Sequence, residues 1–184
     1  MAHSNTSSRA KRLGALSRGK LGRRKGSCVE LVRSILEWYA ARGVFRGFSL
    51  GAASRGKASF KLLWHRDRAF ELVVDEARKR IYFPVVLPLV PSRSPMYKQF
   101  KEFVASRQSN ETPAHRRIDT RKVQVECRNR GGNVSLAMVI VNGDYEYGAR
   151  KLIHLVHEIF LGFLADGPYF DYMTEAFDMN PDGM

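Results

Sequence analysis

A chain of 184 residues with 44% hydrophobic content carries enough apolar surface for one domain with its own core. No apolar run reaches the roughly 20 residues needed to cross a bilayer. Two cysteines without a CxxC spacing point to reduced thiols rather than a disulfide framework.

The net charge of +13 is unevenly spread: residues 1–27 hold eight Lys/Arg and no acid, residues 28–143 hold 21 basic against 10 acidic residues, and residues 144–184 hold two against eight. A basic body favours anionic partners, and the acidic end is suited to self-association or to clamping a basic peptide. The first segment, MAHSNTSSRAKRLGALSRGKLGRRKGS, has no apolar h-region and is not a secretory signal. Its Ser/Arg-rich composition is shared by organelle transit peptides and by solvated tails. The expectation is a disordered basic arm over 1–27 on a cytoplasmic protein. Arg18, Lys20, Arg23, Arg24 and Lys25 are its phosphate-contacting residues, giving salt-sensitive affinity without base specificity.

The arm ends at Ser27-Cys28-Val29-Glu30, a capping box that predicts a helix with Val29, Val32, Ile35, Leu36 and Tyr39 on one face and Gly43 at its C-terminal end. Three glycines among Arg and Ser over 44–57 predict a mobile loop. Three strands follow, SFKLLWH (59–65), AFELVVD (69–75) and RIYFPVVLPLV (80–90). Pro84 and Pro88 cannot donate ladder hydrogen bonds, so the end of the third strand is expected at an edge or peeling away. Ser94-Pro95 opens a second helix with Tyr97, Phe100, Phe103 and Val104 at helical spacing.

After a polar stretch over 108–120, KVQVECR alternates inward Val123, Val125 and Cys127 with outward Gln124, Glu126 and Arg128. NRGGN turns the chain and VSLAMVIV returns, apolar on both faces and therefore central. A long helix is expected over about 148–165 and a short one over about 169–178. The order α-βββ-α-ββ-α-α predicts an α+β domain over 28–184, an antiparallel sheet of about five strands flanked by helices.

This order resembles the YbjN-like domains and the related type III secretion chaperone-like fold. The resemblance covers roughly 28–178 and is carried by AFELVVDEARKRIYFPVVLP, by VQVECRNRGGNVSLAMVIV and by GDYEYGARKLIHLVHEIFLGFLADGPYFDYMTEAFD. It implies binding surfaces and often dimers, with no catalytic signature to transfer. The basic charge sets this chain apart from the typically acidic secretion chaperones.

The segment HLVHEIF (154–160) has the order HxxHE, whereas zinc proteases use HExxH or HxxEH. On a helix, His154 and Glu158 fall together on the polar face as an ordinary i,i+4 pair, and His157 falls at the boundary. No catalytic, cofactor or metal residue is assigned. Leu161 lies on that same polar face of a helix already apolar over most of its circumference, which points to cover by a subunit interface or by the last helix. Phe170, Tyr172 and Phe177 in the acidic-aromatic C-terminal segment are the other interface candidates. Phe45, Phe48, Phe60 and Trp64 are read as core before stacking surfaces. The function expected is a non-enzymatic, protein-binding domain, chaperone-like or adaptor in kind and dimeric. The alternative is an RNA- or ribosome-associated factor using the basic arm, and a hydrolytic zinc enzyme is a distant third.

Overall fold

A computed structural model describes residues 27–65, 67–165, 169 and 172. Helix α1 (Cys28–Ala41) is followed by β1 (Gly47–Ser54), β2 (Lys57–Trp64), β3 (Arg68–Asp75) and β4 (Arg80–Leu87). Then come α2 (Pro95–Ser106), β5 (Val123–Arg130), β6 (Asn133–Ile140) and α3 (Tyr145–Glu158), which runs into a π-helical turn, Ile159–Phe163. The architecture is α+β, and the described strands form one antiparallel sheet in the order β1-β2-β3-β4-β6-β5.

Local chemistry sets the element ends. The Ser27 hydroxyl accepts the Glu30 amide at 3.3 Å, while the Glu30 carboxylate turns to Arg33 at 3.9 Å. Ser94 caps α2 by accepting the Tyr97 amide, with Pro95 in the first turn where its missing N–H costs nothing. Gly131 and Gly132, at φ of 57° and 86°, supply the two left-handed residues of a tight β5–β6 turn.

Among the described residues the sheet has six strands, where about five are expected. The segment expected as a mobile loop over 44–57 contains β1. Its glycines answer to close approach rather than to mobility: a Cβ on Gly51 would lie 2.5 Å from the Ser59 Oγ, and one on Gly47 would lie 2.9 Å from the Leu63 side chain. Gly51 and Ala52 together oppose Ser59 in a bulge, and the Ser59 hydroxyl accepts the Ala52 amide at 3.1 Å.

The Pro-containing strand β4 is not at an edge; it lies between β3 and β6. It does peel away on one side. The β3–β4 ladder ends at Val73–Tyr82, and the β4–β6 register shifts between Phe83 and Leu87, so Pro84 falls where no regular ladder bond is needed. β6 is central, as its two apolar faces predict.

The described helices pack on one face of the sheet. From the strands, alternate residues Phe60, Leu62, Leu72, Ile81, Phe83, Leu136 and Met138 point toward Leu36, Phe100, Leu152 and Ile153, and all are essentially sealed from water. Each such side chain contributes about 1.5–3 kcal/mol. Lys57, Lys61, Glu71 and Arg128 stand exposed on the opposite face. Among the described residues no helix is long and apolar enough to cross a membrane.

Candidate functional site

The apolar stripe of α3 (Leu152, Ile153, Leu155, Val156) is buried, which turns His154 and His157 outward. Beside them, residues 107–118 fold back over the helix. That loop is closed by the Ile118 amide donating to the Arg107 carbonyl at 2.8 Å and by the Thr112 hydroxyl donating to the Ser106 carbonyl at 2.6 Å. Three contacts fasten it to α3. Lys151 Nζ donates to the His115 carbonyl at 2.9 Å, Arg116 Nε donates to Glu158 Oε1 at 3.0 Å, and Arg107 forms an ion pair with Glu158, its Nε 2.7 Å from Oε2. Arg107 is further held with its guanidinium 4.3 Å over the Phe103 ring.

This corrects the pairing expected for HLVHEIF. Glu158 does not serve His154; it clamps two arginines from a loop far earlier in the chain. His154 turns instead to α1, where its Nε2 lies 3.2 Å from the Tyr39 hydroxyl. His157 lies parallel to the Trp64 ring at the end of β2, centroids 6.2 Å apart.

Between α1, α3, Trp64 and the 107–118 loop opens a cleft of about 750 Å³. Its floor is apolar, with Val44, Ile118, Ile153, Leu155 and the Trp64 ring. Its rim is cationic among the described residues: Arg107, Arg116 and Lys151 stand with three histidines against a single carboxylate, Glu158. Burial, then the Lys151 charge, lowers His154 below the ordinary imidazole value, so His154 is neutral at pH 7 and open to a hydrogen bond from Tyr39. Burial likewise lowers Lys151. Such a site suits a ligand with an apolar body and an anionic group.

His65, which sequence reasoning passed over, sits behind the cleft wall. It occupies a left-handed conformation at φ 46° in the β2–β3 turn and stacks 4.3 Å from both Trp64 and Phe160. Its Nε2 is sealed without a hydrogen-bond partner, and burial followed by the nearby His157 lowers its pKa to about 4.

The other candidates fall as follows. Arg18, Lys20, Arg23, Arg24 and Lys25 lie outside the described residues, as do Phe170 and Phe177. Leu161 is 59% exposed. Tyr172 is half-buried, and its hydroxyl donates to the Pro88 carbonyl of the same chain. Phe45, Phe60 and Trp64 are core, and Phe48 is packed against it. Among the described residues no three His, Cys, Asp or Glu side chains converge on a common point.

Cys28 and Cys127 are both free thiols. Burial, then the Glu76 charge, raises Cys28, and burial pushes Cys127 up to about 12. Both are therefore thiols rather than thiolates at pH 8, and poor nucleophiles. In the native protein neither should react with a disulfide reagent within minutes at pH 8, and both should react on unfolding. Rapid titration of one thiol in the native state would contradict this burial.

Comparisons of the chain with protein-family models, with curated proteins and with solved structures give no match, so the reading of the site rests on its own geometry.

Proposed function

We propose that this is a non-enzymatic protein-binding domain, chaperone-like or adaptor in kind, which takes an acidic, apolar-rich peptide segment of a partner into the α3 cleft. The observation that carries it is the pairing of an apolar floor with a rim on which, among the described residues, Glu158 is the one carboxylate beside Arg107, Arg116 and Lys151. An acidic side chain meets the rim while a leucine or phenylalanine next to it fills the floor. The polar groups of the cleft already serve the fold, Glu158 as a clamp and His154 as a partner of Tyr39, which favours binding over chemistry. The likeness to YbjN-like and secretion chaperone-like domains is part of this proposal and rests on the sequence alone; the chain has four strands, not three, between its first two helices.

A fluorescein-labelled peptide alternating Asp or Glu with Leu or Phe tests this. Its addition should shift the NMR signals of the Trp64 indole, Tyr39, Lys151 and His154, with its basic counterpart inert. Shifts confined to other surfaces would exclude the cleft as the peptide site.

A second reading, association with RNA through the arm, is favoured by the eight basic residues without an acid in 1–27. It requires affinity for generic RNA that falls steeply with salt and is lost on deletion of that segment.

A further inference from the structure

The sheet ends on two edges of opposite character. β5, VQVECRNR, carries Glu126, Arg128 and Arg130, the kind of charge that discourages further pairing. β1, GFSLGAAS, carries neither charge nor proline over its eight residues, and every one of them is half or fully exposed. Its helix-side face shows two apolar side chains. Phe48 stacks on Phe60 with centroids 5.9 Å apart, and Leu50 is 47% exposed.

We propose that β1 pairs with β1 of a second copy of this chain, antiparallel about a two-fold axis at Ser49, so that one sheet continues through both molecules. That register sets Phe48 opposite Leu50 of the second copy, and symmetry makes the pair twice. On the other face only Gly47, Ser49 and Gly51 meet their counterparts. They are small enough for the backbones to close to the about 4.8 Å spacing of a ladder. The bulge at Gly51–Ala52 bounds the ladder at 47–51. Arg46, the first charge before the strand, is matched within its own chain by Asp67 at 2.6 Å. The occupant is a second copy because the register is self-complementary: half-buried Phe48 of each copy covers exposed Leu50 of the other. This interface lies on the sheet edge and does not rest on the ligand read for the cleft. It also differs from a dimer through Leu161.

Sedimentation equilibrium on the full chain at moderate salt, over a range of concentrations, tests it. The wild type should reach twice its 20.9 kDa mass. Ser49→Pro and Leu50→Lys should each raise the dissociation constant at least tenfold, while Gln124→Lys on the β5 edge leaves it unchanged. Amide exchange on the wild type covers the case in which a β1 variant fails to fold. Protection of 47–51 should rise at least tenfold between dilute and concentrated protein. A wild type of 20.9 kDa at every concentration, a dimer that survives both β1 variants, or one lost only in Leu161→Glu would overturn the proposal.

Discussion

Glu158→Gln should weaken the fold and tighten the cleft's hold on an acidic peptide in the same protein. Glu158 and Arg107 each keep only 19% of their side-chain exposure, and Arg116 shares the same carboxylate. Removing the charge leaves two guanidinium groups facing each other with no counter-ion. Fully buried pairs lose about 3–5 kcal/mol in this way, and the water still reaching this site reduces the loss to about 1–2 kcal/mol. Thermal unfolding should therefore fall by about 3–6 °C. The same change deletes the one acid among the described residues of a cationic rim, so an incoming carboxylate no longer meets the Glu158 charge. Affinity should rise roughly three- to tenfold at low salt. A variant that loses affinity along with stability would mean that the carboxylate arranges the rim for its ligand and does not repel it.

His65 should make the fold acid-sensitive above the range where carboxylates protonate. Its pKa is about 4 in the folded chain, below the ordinary 6.5. Above pH 6.5 both folded and unfolded states hold the neutral ring, and stability is complete. As pH falls below that value the unfolded chain takes up a proton that the native chain refuses. Stability is lost progressively until about pH 4, where the native ring also protonates. The loss is roughly 2 kcal/mol, allowing for the partial exposure of the ring. His65→Asn keeps a residue that tolerates the left-handed conformation but does not titrate. It lowers stability at neutral pH by removing the stack on Trp64 and Phe160. The measurement is the difference between wild type and variant in urea-unfolding free energy from pH 7.5 to 4. That difference should shrink as pH falls, and a constant difference would show that the ring does not resist protonation.

Where signals are local, the fold can be read from the chain. Ser27 and Ser94 cap their helices as expected, the Gly131–Gly132 turn joins the β5–β6 hairpin, and the apolar run of β6 marks a central strand. The departures have one physical origin: residue type reports a position's needs, and different needs select the same residue. Glycine in 47–51 reads as a loop, yet at Gly51 it makes room for the Ser59 hydroxyl in an edge strand. Proline in β4 reads as an edge, yet a central strand accommodates it because β3 stops pairing at Tyr82. The cleft is harder to see. HLVHEIF holds two of its histidines and Glu158, but their partners are Tyr39, Arg107 and Arg116, far away in sequence. No periodicity within one helix reports a loop folding back onto it. Positive charge in the polar 108–120 segment is the only hint the sequence offers.

Whether the α3 cleft or the basic arm holds the partner can be decided by calorimetric titration of the acidic-apolar peptide into three proteins. These are the wild type, the chain lacking residues 1–27, and Arg116→Glu with Lys151→Glu. Binding in the cleft requires an unchanged dissociation constant on removal of the arm and at least a tenfold weakening on charge reversal at the rim. Binding that disappears with residues 1–27 and survives the reversal would place the partner on the arm instead.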